Sequence, residues 1–130
     1  MPETRLSEEH CFEWLRGLRW PSGIACPRCG SRRITTHSKF TRTPRRRYLC
    51  LGCRRTFTDL TGTPLTRTNL PLSSWFLYVR FRREGCSVSE LANALGVKWD
   101  TVAHMGRRLS GAPEWTARLS EAMTRLRRDA

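Results

Sequence analysis

Four cysteines, Cys26, Cys29, Cys50 and Cys53, form the array C-x2-C-x20-C-x2-C, and no other feature constrains the fold of this chain as tightly. Each C-x-x-C pair can bend two thiolates toward one point, and two such pairs complete the tetrahedron that Zn2+ prefers. Cys26-Pro27-Arg28-Cys29-Gly30 and Cys50-Leu51-Gly52-Cys53-Arg54 each carry a glycine suited to a tight turn whose backbone N–H groups point at sulfur. The array predicts a four-cysteine zinc ribbon over residues 23–61, holding one Zn2+. Four protein sulfurs leave no open coordination position, so the metal is expected to be structural rather than catalytic.

The sequence around the array explains why a metal would be needed. The first 60 residues alone would bury little apolar surface, and a metal substitutes for a larger core. With no basic leader and no apolar run longer than Trp75–Val79, the opening residues read as neither an export signal nor a membrane span. Paired C-x-x-C spacing in that setting favours zinc in a reducing cytoplasm over disulfides. Cys11 and Cys86 lie outside the array and read as small buried hydrophobes.

Charge supplies the partner class. The formal net charge is +13, and of 24 basic residues only Lys39 and Lys98 are lysine. An excess of that size points to a polyanion, nucleic acid before membrane. Arginine adds a bidentate fork for phosphate and a plane that stacks on bases. A GC-rich genome would also produce the arginine bias, but the charge acts on a partner whatever its origin.

The remaining pattern is helical at both ends. Ser7 as N-cap, Glu8 and Glu9 in the first turn, and Cys11, Phe12, Leu15 and Leu18 at helical intervals predict an N-terminal helix over 6–18, packing on the ribbon within a segment 1–22. Ile34–Phe40, Arg46–Cys50 and Arg54–Thr58 are the expected ribbon strands, with Thr43-Pro44-Arg45 as hairpin turn. Residues 62–72 read as a linker rich in Thr, Gly, Pro and Asn. Residues 73–111 then predict three helices: one capped by Ser73 or Ser74, a second opened by the capping box Ser87-Val88-Ser89-Glu90, and a third over Trp99–Leu109. Gly96 in the intervening turn, with small Ala92 before it, gives the spacing of a helix-turn-helix. Residues 112–130 form a last amphipathic helix, with Pro113 near N1 and Trp115, Leu119, Ala122 and Leu126 on one face. That stripe is core packing, a homodimer seam or a handle for a following domain. The fold class expected is α+β: a three-stranded zinc ribbon with an N-terminal helix, then an all-α helix-turn-helix module and a C-terminal helix.

Double-stranded DNA is the partner this pattern fits. In a helix-turn-helix the second helix enters the major groove. Taking Val102, Gly106 and Leu109 as its inward face leaves Lys98, Trp99, Thr101, His104, Arg107 and Arg108 as candidate DNA contacts. Asp100 fits the positive helix N-terminus better than a base. The second basic surface is the ribbon, where Arg42, Arg45, Arg46 and Arg47 flank the hairpin turn and Arg54 and Arg55 follow the second knuckle, with Arg32 and Arg33 after the first. No catalytic residues are expected. The 11 acidic residues are scattered, without the converging carboxylates a two-metal nuclease needs, and His10, His37 and His104 lie in different segments.

The order of these pieces carries a resemblance. Arg19-Trp20-Pro21-x-Gly23-x-x-Cys26-Pro27-x-Cys29-Gly30-Ser31, then Tyr48-x-Cys50-x-x-Cys53-x-x-x-Phe57, Thr61-Gly62-Thr63, Pro71-Leu72-x-x-Trp75-Phe76 and the helix-turn-helix residues through Thr101 are collinear from about residue 6 to 110. Together they resemble the N-terminal region of zinc-ribbon insertion-sequence transposases, the ISXO2-like family numbered fifteen ninety-five. The resemblance implies zinc at the same four cysteines and recognition of an element's terminal DNA. Family members continue into an RNase H-like nuclease domain, and this sequence ends at Arg127-Arg128-Asp129-Ala130 without its motif. The expectation is therefore a DNA-binding, non-enzymatic module at the nucleoid, either a truncated transposase or a domesticated regulator. A transposase subunit whose nuclease is supplied elsewhere is the alternative, as is a ribbon that contacts RNA or protein.

Overall fold

In a computed structural model that describes residues 6–39 and 42–129, the chain is α+β, with a small antiparallel sheet and five helices. It forms two compact units, one from Glu8 to Thr68 and one from Asn69 through the C-terminal helix.

The first unit opens with α1, Glu8–Arg19. Glu8 and Glu9 sit in its first turn and Arg16 and Arg19 in its last, each on the favourable end of the helix dipole. Cys11, Phe12 and Leu15 are its buried face. Burial pushes the Cys11 thiol up to about 12, with nearby Glu8 adding to the rise, which fits an inert packing residue.

Three strands follow: β1 (Ile34–Lys39), β2 (Arg46–Cys50) and β3 (Thr56–Thr58), antiparallel in the order β1-β2-β3. Phe40, the expected last residue of the first strand, lies outside the described residues. Ile34 pairs with Cys50 and Tyr48 with Phe57, and the β1–β2 register shifts between Thr36 and Ser38. Alternation along β2 turns Tyr48 and Cys50 inward and leaves Arg46 and Arg47 exposed. Tyr48, Phe57, Cys26 and Cys50 make a compact core, closed by Trp20, Ile24, Ile34 and Cys53. The Trp20 ring stands edge-on to Tyr48, with centroids 5.8 Å apart. β3 is shorter than the predicted Arg54–Thr58, because Arg54 closes a knuckle in left-handed backbone instead of extending.

A buried carboxylate ties helix to sheet. Asp59 is fully buried; its oxygens accept from Arg16 Nε at 3.1 Å, from an Arg16 terminal nitrogen at 2.9 Å, from the Arg46 backbone N–H at 2.9 Å and from the Tyr48 hydroxyl at 2.6 Å. Arg19 donates to the Asp59 and Thr61 carbonyls at 2.6 and 2.7 Å. Residues 60–68, which overlap the linker expected over 62–72, are folded in by successive turns that bury Leu60, Thr63, Leu65 and Thr68.

The second unit has α2 (Leu72–Arg83), α3 (Val88–Leu95), α4 (Trp99–Ser110) and α5 (Pro113–Asp129). Neither Ser73 nor Ser74 caps α2; the helix starts earlier, with Pro71 at the N-cap and no side-chain cap. Proline fixes the entry φ there, and Ser74 donates its backbone N–H to the Pro71 carbonyl. α2 is central and packs on α5 and α3. The capping box of α3 forms as expected, Glu90 N–H to Ser87 Oγ at 3.2 Å and Ser87 N–H to Glu90 Oε1 at 3.0 Å. Gly96 takes the left-handed conformation, φ 68°, that ends α3 and turns the chain into α4. Val102, Met105 and Leu109 are the buried face of α4. Of Met105 and Gly106, either of which the helical pattern allows inward, Met105 takes the place and Gly106 is only half-buried.

Pro113 opens α5, and Leu119, Ala122 and Met123 are buried there, with α5 packed on α2 and α4. Of the expected stripe, Leu119 and Ala122 are thus spent on packing within the chain, as core packing requires, Trp115 is half-buried, and nothing in the structure supports the homodimer seam. Leu126 lies where side chains are outside the described residues. Among the described residues no helix is long and apolar enough to cross a membrane.

Candidate metal centre and basic surfaces

Two knuckles of the same shape present the four sulfurs. In the first, Gly30 N–H reaches the Cys26 carbonyl at 2.9 Å; in the second, Arg54 N–H reaches the Cys50 carbonyl at 2.8 Å. Arg28 N–H points at Cys26 Sγ and Cys53 N–H at Cys50 Sγ, both at 3.4 Å. The sulfur-directed N–H groups expected from sequence are present, but the left-handed residue of the second knuckle is Arg54, φ 64°, not Gly52. Gly52 serves a close approach instead. A Cβ there would stand 2.9 Å from the Ser31 side chain.

All four Sγ atoms lie within 4.8 Å of one another, with Cys26–Cys53 at 3.8 Å and Cys29–Cys50 at 3.5 Å. A tetrahedral site with Zn–S bonds of about 2.3 Å separates its sulfurs by about 3.8 Å. The donor set therefore fits Zn2+ in size and softness. Its electrostatics favour thiolate: the Cys53 backbone N–H, against the opposing effect of burial, pulls Cys50 down to about 6. Burial opposes the shift at Cys26, yet the Cys29 and Arg28 backbone N–H groups hold that thiol below its ordinary value. Ser31 N–H favours the Cys29 thiolate, but hydrogen bonding to Cys50 and burial outweigh it and push Cys29 up to about 11. Two thiols at 3.5 Å share a proton when no cation compensates a second negative charge.

Residues 6–56 match the transposase zinc-ribbon domain. That segment is thus similar to the zinc ribbon of transposases. It is also 33% identical, over 101 residues, to an uncharacterized protein in transposable element ISH50 of Halobacterium salinarum. That alignment takes in 77% of this chain and 34% of the relative, so the chain spans about a third of the length of the curated relative it matches. No solved structure matches it. The ribbon holds one structural zinc at Cys26, Cys29, Cys50 and Cys53.

Around the transposase-type ribbon the arginines fall into two groups. Arg42, Arg46, Arg47, Arg54 and Arg55 are exposed, as are Arg32 and Arg33. Arg45 is different: it is half-buried and donates to the Thr68 carbonyl at 3.2 Å, so the structure turns it into the body of the unit. On α4, Lys98, Trp99, Asp100, His104 and Arg107 are exposed, with Trp99 at 54% the one large hydrophobic so open among the described residues. Thr101 and Arg108 are half-buried. Sequence reasoning passed over Asp59. A signal existed: it is the sole acid between Glu13 and Glu84, in the most arginine-rich part of the chain.

Proposed function

We propose that the chain is a zinc-stabilised, sequence-preferring binder of double-stranded DNA. One observation carries the reading: α4 buries Val102, Met105 and Leu109 and turns Lys98, Trp99, His104 and Arg107 outward, directly after the left-handed turn at Gly96. This is the presentation a helix-turn-helix needs to set a recognition helix in the major groove. Lys98 and Arg107 have the donors for guanine or phosphate, and His104 for a base edge. Asp100 in the first turn complements the helix dipole.

The exposed ribbon arginines supply backbone contacts that position without specifying. Arg45, committed to Thr68, is left out of that set, and Thr101 and Arg108 are secondary to their exposed neighbours. By kinship with the transposase ribbon, the target is the terminal DNA of an insertion element, and the protein acts at the nucleoid as a recognition module or a regulator derived from one. Catalysis is not part of this reading, since four sulfurs fill the zinc shell.

Selection of duplexes from a random library at physiological salt tests it. Convergence on one motif supports the proposal. Recovery of unrelated duplexes, or preferential capture of structured RNA, would sink it.

A further inference from the structure

The second unit contains a groove of about 930 Å³ between α2, α4 and α5. Its floor is apolar, with Val79, Val102 and Leu109, and its rim is cationic, with Arg82, Arg83 and Arg107 and no acidic residue in the lining. Tyr78 also lines it. This side chain is 9% exposed, and its hydroxyl makes no hydrogen bond among the described residues. Gly106 makes room for that hydroxyl, since a Cβ there would sit 2.6 Å from it. The hydroxyl is open to the groove, where a docked segment can reach it.

We infer that this groove docks an acidic amphipathic segment of a partner protein. The apolar floor accepts the segment's hydrophobic side chains, the three arginines face its carboxylates, and the Tyr78 hydroxyl bonds to it. Duplex DNA matches the rim but not the floor: phosphates and sugars gain nothing from a valine- and leucine-lined concavity. The groove shares Arg107 with the proposed DNA reading, whereas Lys98 and His104 are not in its lining and neither its floor nor Tyr78 takes part in that reading.

The test uses the zinc-loaded full chain and a fluorescent 16-residue helical peptide with leucines on one face and glutamates elsewhere. A second peptide carries lysine for every glutamate. Ala117, exposed at the groove's edge, is replaced by arginine, a change that fills the groove while adding positive charge. The acidic peptide is expected to bind and the basic one not to. Ala117→Arg should weaken binding by about tenfold or more through steric exclusion, whereas adhesion to charge alone would strengthen. Tyr78→Phe should weaken it by a smaller factor, with circular dichroism unchanged for both variants. Unchanged or tighter binding by Ala117→Arg overturns the proposal. So does loss of duplex binding by that variant with peptide binding intact, which would assign the groove to DNA.

Discussion

Gly30 and Arg54 occupy the same position in successive knuckles, with φ 76° and 64°, each donating its N–H back to the first cysteine carbonyl of its pair. The turn demands left-handed backbone at both places, and only the first has the residue that adopts it without cost. An L-residue there costs about 1–2 kcal/mol. Arg54→Gly is therefore expected to raise stability by about 1 kcal/mol, read as a higher Tm at saturating zinc. If the Arg54 side chain also meets a phosphate, the same variant will lower the log K versus log salt slope by about 0.9. A lower Tm would show that the Arg54 side chain stabilises the knuckle by more than its backbone costs.

Metal removal should separate the two units. Zinc binding is folding energy for a ribbon whose four-residue core surrounds two of its own ligands, Cys26 and Cys50. Cys29→Ser, or a strong chelator, is expected to make residues 8–68 sensitive to protease while the α2–α5 helical signal in circular dichroism persists. Protection of the ribbon without metal would refute the structural role.

Asp59 is the second stabilising centre of that unit. Asp59→Asn leaves Arg16 without its carboxylate in a half-buried site and is expected to cost about 3 kcal/mol in chemical denaturation. Tyr48→Phe removes one of the bonds and should cost about 1.5 kcal/mol.

The same contact sets an alkaline limit. Burial first, then the bond to Asp59, raises Tyr48 from 10.0 to about 12. A folded-state pKa above the unfolded value means this stabilisation is complete below pH 10 and is lost as pH rises through about 12. Denaturant midpoints should fall over that window in the natural protein, and Tyr48→Phe should show a smaller fall, the remainder coming from the buried Cys11 thiol, which is raised to about 12 as well.

Much of this was legible because it rests on local chemistry. The cysteine spacing, the Ser87–Glu90 box, Gly96 and Pro113 each fix backbone within a few residues, and the structure has them where the sequence puts them. What escaped depends on contacts distant in sequence. Asp59 meets Arg16 across 43 positions, and no local pattern announces a buried ion pair. Arg45 looks like its exposed neighbours until the turns of 60–68 bring the Thr68 carbonyl to it. On α4, Met105 and Gly106 are adjacent, so helical periodicity alone did not settle which points inward.

Arg107 and Arg46 should separate readout from grip. Arg107 is exposed in the last turn of α4, whereas Arg46 exposes its side chain from β2 and bonds Asp59 through its backbone N–H and carbonyl. Arg46→Ala thus keeps the Asp59 network and removes one cation. The expected result is a salt slope reduced by about 0.9, with relative affinities for different duplexes unchanged. Arg107→Ala should instead cost about 1–3 kcal/mol against the preferred duplex and little against a random one, relaxing the choice at one base pair. Binding isotherms for both variants on both duplexes, at several salt concentrations, decide the matter. The reverse pattern would move sequence readout from α4 to the ribbon.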